Sequence, residues 1–482
     1  DIFNNYYRNP NNAAFAVFKD YVPSAGYPAS DLYYSVGLND PNTNEPAIPT
    51  GRLSVTSPEQ VVFYLNKVIE QEALSPTHDW RKRILHLSGG IAAGEPAAFK
   101  SYMEDFASIA EEPFLGAEVK AIAKQSLDAQ ELINISEEVN DGLNLITFFG
   151  HSSTTTTDFD IGFATNPVLG YNNKGKYPAL LINGCNAGAF FNSSRVLFGE
   201  DWVNAADKGA IAFLAHSSFG FVSTLKRYSD IFYFVAFADP SLINKGIGDV
   251  QKFVSLRYLE NVTPTLSNIT QVQQMILLGD PAVKLFPADK PDYSIQNGDV
   301  IAQSEDGKQI TNLTSSYQLR IITKNSGLAI PNQYKLKIEH KEPDNTITDY
   351  SQQVAATFNR DTLYINIDNA KALSGTHEFI IKADDNEEIE ELSESNNGFT
   401  YTLFIPRSGT KNLYPENFAI VNQTNIDFVF QSANLLDSLR SYVLEIDTSY
   451  QFNSTYKKQF TIREQLLANK DFSILTKDTL TY

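Results

Sequence analysis

The 482-residue sequence contains a single cysteine, and this scarcity limits how the chain can be stabilised. One thiol excludes an internal disulfide, so the fold must depend on its hydrophobic cores. Long apolar runs are missing as well, because no stretch reaches the roughly 18 residues that a membrane-spanning helix needs. The sequence therefore predicts no membrane span, and the scarcity of thiols is compatible with a protein that works outside the cytoplasm.

Positive charge is also in short supply. The chain has 38 Lys and Arg residues against 57 Asp and Glu residues, which gives a formal net charge of −19. A protein that binds nucleic acid needs a basic face for the phosphates, and none is present. Nucleic acid is therefore excluded as a partner, and the acidic surplus mainly favours solubility.

Several common catalytic motifs are absent. The sequence has neither the G-x-S-x-G turn of serine hydrolases nor the H-E-x-x-H helix of zinc peptidases. The glycine-containing segment at 51–60 lacks the spacing that cradles a phosphate. We therefore expect no required cofactor.

What is present in residues 1–288 is an alternation of apolar runs and helix-like stretches. Four runs are apolar on both faces, which is typical of strands in a parallel sheet covered by helices. The strands are predicted at 83–90, 144–151, 177–185 and 209–218, and the helices at 57–74, 98–112 and 194–207. This alternation predicts an α/β domain, in which ligands bind beyond the carboxyl ends of the strands.

The pattern changes after Pro287 and Pro291. Residues 289–407 alternate polar and apolar side chains between turn clusters, which predicts an immunoglobulin-like antiparallel β-sandwich. Residues 408–482 are again rich in strand-like segments and predict a partial β-rich domain. We expect these β domains to act as spacers or docking modules.

The only thiol lies in a glycine-rich turn that follows one of the predicted strands. Cys185 ends the strand in "LINGCNAGAFF", and His151 ends the preceding strand of the series in "LITFFGHSS". The two residues are 34 positions apart, which leaves room for a loop or helix and one further strand. A thiolate beside an imidazole is a nucleophile with its base, and the amides of Ser152 and Cys185 are suited to hold an oxyanion.

Purely structural roles are the alternatives to a catalytic role for Cys185 and His151. A lone cysteine is usually a small buried hydrophobe, and a histidine after a strand is usually a loop hydrogen-bonder. His86 is predicted to be a core residue, and His216 either lines the cleft or has a structural role. A third residue that would orient His151 stays open, since Asp158 and Asp160 are equally near in sequence.

A second candidate site is the acidic segment 383–397. Its carboxylates suit calcium, although a solvated hairpin is the simpler interpretation. A structural calcium ion is therefore the one metal that we consider.

Five segments in order resemble the gingipain family, the caspase-clan cysteine peptidases of bacterial surfaces, and the related sortase of the type IX secretion system. The resemblance covers roughly residues 15–288. The segments are 21–35, 51–72, "FFGHSS" at 148–153, "INGCNAGAF" at 182–190 and "LLGDPAVKL" at 277–285. It implies a caspase-like fold, with His151 as general base and acid, Cys185 as nucleophile, and the amides of Ser152 and Cys185 as the oxyanion hole.

The resemblance also implies a substrate pocket and an acidic partner for the histidine. The pocket wall is expected from 216–221, with His216, Phe219 and Phe221, and Glu95 is the nearest acid to the family's orienting position. We place Glu95 with the pocket residues and leave the third catalytic residue unassigned. Ser152 stands where the family has glycine, and the family's first strand is not matched, so we expect the N-terminal part of the domain to be missing.

These observations favour an extracytoplasmic cysteine endopeptidase that acts on proteins or peptides, secreted or held at the outer-membrane surface. One alternative is a type IX secretion sortase that transfers the acyl group to an amine and processes the C-terminal signals of its cargo, with that machinery as partner. Another is a non-catalytic surface scaffold on the same fold.

Overall fold

The computed structural model describes residues 22–26, 28–40, 43–190, 195–423, 425–433, 439–464 and 467–473. Residues 1–21, with which the predicted α/β domain begins, lie outside the described residues.

A six-stranded sheet forms the centre of the first 288 residues, in the order β2-β1-β4-β6-β7-β8. The first five of these strands are parallel, and β8 runs antiparallel to β7. Two further short strands, β3 and β5, pair beside the sheet. The strands are β1 (Arg83–Ser88), β2 (Glu118–Ala123), β3 (Glu131–Leu132), β4 (Leu145–Phe149), β5 (Phe159–Asp160), β6 (Ala179–Asn183), β7 (Ala212–His216) and β8 (Met275–Gly279).

Seven α-helices accompany the sheet among the described residues: α1 (Pro58–Glu72), α2 (Glu95–Ala110), α3 (Ser136–Asp141), α4 (Phe198–Asn204), α5 (Val222–Tyr233), α6 (Ile247–Glu260) and α7 (Leu266–Gln273). Two 3₁₀ turns cover Leu32–Tyr34 and Asp79–Lys82, and a π-helical turn at Phe234–Ala238 extends α5. No helix in these ranges is both long and apolar enough to cross a membrane.

The burial of the strands explains their composition. Every residue of β4, β6, β7 and β8 is buried, as expected for strands with helices on both faces. The predicted α/β architecture is confirmed. The antiparallel strand β8 was not foreseen, since its apolar residues continue directly from α7 without a turn signal.

The all-β part that follows is confirmed too. Residues 293–405 enclose a second core of their own, between a sheet β10-β11-β15 with β9 on β11 and a sheet β13-β12-β16-β17 with β14 on β12. The strands are β9 (Tyr293–Ser294), β10 (Val300–Gln303), β11 (Ser316–Asn325), β12 (Tyr334–Lys341), β13 (Ile347–Asp349), β14 (Gln352–Val354), β15 (Arg360–Asp368), β16 (Gly375–Lys382) and β17 (Gly398–Ile405).

The C-terminal block has a three-stranded sheet β18-β19-β22 and a hairpin of β20 with β21. Its strands are β18 (Thr410–Tyr414), β19 (Asn425–Ser432), β20 (Arg440–Ile446), β21 (Lys458–Glu464) and β22 (Leu467–Ser473). The domain boundaries proposed from the sequence stay predictions.

Hydrogen bonds to backbone carbonyls join the sandwich to the α/β part. Lys82, which is buried before β1, donates from Nζ to the carbonyl of Phe358 at 2.6 Å. The amide of Ala329 donates to the carbonyl of Phe114 at 2.8 Å. These contacts lie at the amino ends of the parallel strands. The site described next lies at their carboxyl ends.

Candidate active site

The two predicted catalytic residues, His151 and Cys185, follow two neighbouring parallel strands, β4 and β6. The last paired residues of β4 and β6 are Phe149 and Asn183, and the amide of Gly150 donates to the Asn183 carbonyl at 3.0 Å. His151 and Cys185 each lie two residues beyond this pair, at the same edge of the sheet. Since neighbouring strands are about 4.8 Å apart, the backbones of the two residues follow adjacent strand ends.

The imidazole of His151 is held by a carboxylate at the start of α2. Nε2 of His151 lies 3.0 Å from Oε2 and 3.2 Å from Oε1 of Glu95. The same Oε2 accepts the amides of Ile91 and Ala92, each at 2.9 Å. Partial burial raises the pKa of Glu95, but these hydrogen bonds and the His151 ring outweigh it and hold the pKa below its ordinary value.

The sequence predicts Glu95 as a pocket residue, whereas in the structure its carboxylate contacts the His151 ring. The ring is also packed by Phe99 of the same helix, with 6.3 Å between the ring centroids. The other ring nitrogen, Nδ1, makes no hydrogen bond to any described residue, so one side of the imidazole is available for chemistry.

The two aspartates considered for that role have other contacts. Asp158 accepts the backbone amide of His151 at 3.2 Å and does not bond its ring. Asp160 accepts the amide of Gly162 at 3.0 Å and the side chain of Gln130 at 2.7 Å. Neither aspartate orients the imidazole directly.

The thiol of Cys185 is half-buried and faces the loop that follows β7. The amide of Gly220 points at Sγ with an N···S distance of 3.4 Å, and Sγ lies 3.7 Å from the Gly220 carbonyl oxygen. Within the described ranges the thiol bonds Gly220 and makes no hydrogen bond to His151.

The turn after the thiol is tied to the same loop. Asn186 has a left-handed backbone with φ of 59°, a conformation that asparagine tolerates better than most residues. Its amide donates to the carbonyl of Ser218, and that of Gly188 donates to the carbonyl of His216, both at 2.8 Å. The turn therefore holds the cysteine at the edge of the sheet.

The amides of Ser152 and Cys185 are the oxyanion donors that the sequence predicts. Neither N–H donates a hydrogen bond to any described residue. Ser152 pairs with Thr157 across a tight hairpin, in which the bonding amides are those of Ser153 and Asp158. The N–H of Ser152 is thus left unbonded at the carboxyl edge of the sheet.

A side-chain contact joins the histidine loop to the cysteine loop. The hydroxyl of Ser152 donates to the carbonyl of Cys185 at 2.7 Å. Gly184 makes room for it, because a Cβ there would lie 2.1 Å from the Ser152 Oγ. The serine that replaces the family's glycine therefore cross-links the two halves of the site.

Three of the proposed pocket residues lie at the end of β7 or on the loop that follows it, and the two on the loop are exposed. Phe219 and Phe221 flank Gly220 and are 69% and 64% exposed. The structure corrects the pocket assignment of His216, whose side chain is fully buried, with Nε2 2.6 Å from Nε2 of Gln271. Burial lowers the pKa of His216 to about 3, so its ring is a neutral core group.

No group of three or more His, Cys, Asp or Glu side chains is placed to hold a metal ion in the part of the chain that the structure describes. In the acidic segment, Asp384 accepts the amide of Ile389 at 2.8 Å and Glu391 accepts that of Tyr293 at 2.6 Å. The calcium expectation stays a prediction.

Sequence reasoning left the contact of Glu95 with His151 unassigned and missed the contact of Gly220 with Cys185. Glu95 follows "GGIAAG" and precedes Pro96, which is a typical helix start, so the sequence offered a carboxylate at a helix N-terminus near a strand end. Gly220 acts through its backbone, and nothing in the sequence signals the direction of one amide.

Comparisons with known proteins give one family model and several solved structures. A model of peptidase family C25 matches residues 4–286. The crystal structure of the Arg-specific cysteine proteinase gingipain R is similar to this chain at 14% identity and a TM-score of 0.47, with 80% of this chain and 81% of that chain covered.

Two further solved structures are similar. The complex of the pro- and mature domains of RgpB from Porphyromonas gingivalis has 15% identity and a TM-score of 0.46, with 80% of this chain and 83% of that chain covered. A CARDB domain from Pyrococcus furiosus, in complex with di-metal ions, has 16% identity and a TM-score of 0.20, with 24% of this chain and 90% of that chain covered. A search of curated proteins gives no match.

Proposed function

The chain belongs to peptidase family C25, and from this membership we propose that it is an endopeptidase that cuts proteins through the Cys185 thiolate and the His151 imidazole. The observation that carries the proposal is the matching position of His151 and Cys185 beyond the paired ends of β4 and β6. The carboxylate of Glu95 on the His151 ring supports it, because a base in this chemistry is usually held by a third group.

In the acylation step, Sγ of Cys185 attacks the carbonyl carbon of the scissile peptide bond. The C–S bond forms while the π electrons of the carbonyl move onto its oxygen, and the amides of Ser152 and Cys185 donate to the resulting oxyanion. When the oxyanion collapses, the C–N bond breaks and the His151 imidazolium gives its proton to the leaving amine. A thioester and a neutral imidazole remain.

In the deacylation step, His151 takes a proton from water while the water oxygen attacks the thioester carbon. The second tetrahedral intermediate collapses, the C–S bond breaks, and the Cys185 thiolate leaves beside the imidazolium. Glu95 stabilises the positive ring in both steps, and the Gly220 amide stabilises the negative sulfur.

The test uses the single thiol. Purified protein is incubated with an unstructured protein substrate and with a biotinylated peptidyl chloromethyl ketone, in wild type and in Cys185→Ala and His151→Ala. We expect cleavage and labelling in the wild type only, with one label per chain. Cleavage that persists in Cys185→Ala, or a wild type that neither cleaves nor reacts, would falsify the proposal.

We further propose that the enzyme acts outside the cytoplasm, as its likeness to gingipains implies. Water is the proposed acyl acceptor, because the family that the chain belongs to is a family of peptidases. Mass spectrometry of products formed with added glycylglycine tests this point. Free carboxyl ends support hydrolysis, whereas products joined to glycylglycine would indicate the sortase-like alternative.

A further inference from the structure

We propose that Asp158 is a positioning residue that sets the geometry of the Glu95–His151 pair by binding both turns that carry it, with Lys124 as its buried counter-ion. This inference rests on the proposed function, since it concerns how the proposed base is held.

One carboxylate connects the two turns. Oδ2 of Asp158 accepts the amide of Gly90 at 2.6 Å, at the start of the turn that leads to Glu95. Oδ1 accepts the amide of His151 at 3.2 Å. The Asp158 amide also donates to the His151 carbonyl at 2.8 Å, which closes the base of the hairpin 151–158. The turn that leads to Glu95 and the turn that contains His151 are therefore bound by the same carboxylate.

The carboxylate occupies a space that two glycines leave open. Gly89 follows β1 and Gly150 follows β4, and a Cβ on either would lie 2.1 Å or 2.5 Å from Oδ1 of Asp158. Any larger residue at either position would displace the carboxylate. The ends of β1 and β4 are thus shaped around this one side chain.

The charge of Asp158 is balanced inside the protein. Its side chain is 2% exposed, and Nζ of the fully buried Lys124 lies 3.8 Å away. Lys124 also donates to the carbonyls of Gly90 and Asp128, which fixes it against the same turn. Burial raises the pKa of Asp158, while the Gly90 amide, Lys124 and His151 oppose that rise. A buried ion pair with several hydrogen bonds is rigid, as an anchor must be.

The anchored pair itself is more open to water. The side chains of His151 and Glu95 are 43% and 27% exposed, so their own hydrogen bond has little surrounding structure to protect it. Small shifts of either turn would lengthen that bond, and misplacement by about 1 Å costs about 100-fold in rate in such sites. Asp158 is the group that prevents those shifts.

The experiment measures the alkylation of Cys185 by iodoacetamide, which needs no peptide substrate and reports on the only thiol. At pH 6 the reaction depends on a thiolate that the imidazolium stabilises, whereas at pH 9.5 any exposed thiol is ionised. The ratio of the two rates therefore reports on the pair once circular dichroism has shown that each variant is folded, because an unfolded thiol also reacts slowly at pH 6 and rapidly at pH 9.5. The variant is Asp158→Asn, which keeps the shape but turns one acceptor into an N–H donor.

We expect Asp158→Asn to lower the rate at pH 6 at least about tenfold and to leave the rate at pH 9.5 within about twofold. The matched control is Asp160→Asn, a buried aspartate on the same segment that bonds neither turn. Its rate ratio should stay within about twofold of the wild type. Equal effects of the two substitutions would overturn the inference.

A double-mutant cycle with Glu95→Gln distinguishes a positioning role of Asp158 from a general effect on stability. In a Glu95→Gln background the pair is already impaired, so Asp158→Asn should change the ratio by less than about twofold. An effect as large as in the wild type would assign Asp158 a structural role independent of the pair. Should Asp158→Asn not fold, Lys124→Gln tests the same anchor, and an unchanged ratio in that variant contradicts the inference.

The outcome also distinguishes this inference from the proposed function. A wild type whose thiol reacts only at alkaline pH would contradict the thiolate–imidazolium pair itself. A wild type that reacts at pH 6, with an Asp158→Asn variant that does the same, contradicts only the role of Asp158.

Discussion

Oε2 of Glu95 lies 3.0 Å from Nε2 of His151 and accepts two backbone amides of its own turn at the same time. This oxygen therefore fixes the ring to the start of α2, and the hydrogen bonds favour the ionised carboxylate. The contact on Nε2 leaves Nδ1 as the ring nitrogen without a hydrogen bond to any described residue.

The first prediction concerns this contact. Replacing Glu95 with Gln removes the charge that stabilises the imidazolium, and a hydrogen bond to a charged group contributes about 2 kcal/mol, or about 30-fold in rate. We expect kcat/KM to fall by about that factor in peptide cleavage assays. Glu104→Gln, an exposed position on the same helix paired with Lys100, is the control and should leave kcat/KM unchanged. An equal loss in both variants would contradict the role of Glu95.

The second prediction concerns the cross-link between the two catalytic loops. Gly184→Ala puts a Cβ 2.1 Å from the Ser152 hydroxyl, so the loops must separate. We expect at least about a tenfold loss of kcat/KM, since the separation moves His151 away from Cys185. The double variant Gly184→Ala/Ser152→Gly removes the atom that clashes and should recover part of the loss. No recovery would show that the contact with Ser152 is not the cause.

The third prediction concerns the exposed phenylalanines beside the thiol. If Phe219 and Phe221 contact the substrate, replacing either with Ala removes apolar surface that a peptide would cover, worth about 1.5 kcal/mol or more. We expect KM for peptides to rise about tenfold, with the iodoacetamide rate of Cys185 unchanged because that reagent is too small to need the wall. An unchanged KM in both variants would remove these residues from the pocket.

The fourth prediction concerns pH and the buried ring of His216. Burial lowers its pKa in the folded protein to about 3, against about 6.5 in the unfolded chain. Between about pH 6.5 and about pH 3 the imidazole is protonated in the unfolded chain but neutral in the folded protein. The free energy of unfolding therefore decreases as the pH falls. The stability advantage of wild type over His216→Gln should shrink by about 2 kcal/mol from pH 6.5 to pH 5.

Urea unfolding of both proteins at several pH values measures this difference, and the comparison cancels the titration of all other groups. His86 is a second test of the same kind, because burial lowers its pKa to about 4. An advantage that is constant with pH would mean that the ring is accessible to protons in the folded state.

The sequence by itself determined four of the six strands of the first sheet and the existence of the all-β part. Continuous apolar runs can be buried only between two layers of helices, and strict alternation suits a sheet with one covered face, so composition and period were sufficient. It also placed His151 and Cys185 at strand ends, because glycine and small polar residues mark where an apolar strand stops.

Only the tertiary structure decided what surrounds those two residues. Glu95, Asp158 and Gly220 approach the pair from separate segments, and each acts through a turn whose direction depends on how the strands are stacked. His216 is the last residue of β7 and is buried, whereas His151 lies two residues beyond β4 and is half-exposed. The physical reason is that the apolar pattern of a strand indicates whether that strand is buried. The hydrogen-bond partners of the residues at its end depend instead on which strands and turns become its neighbours in the fold.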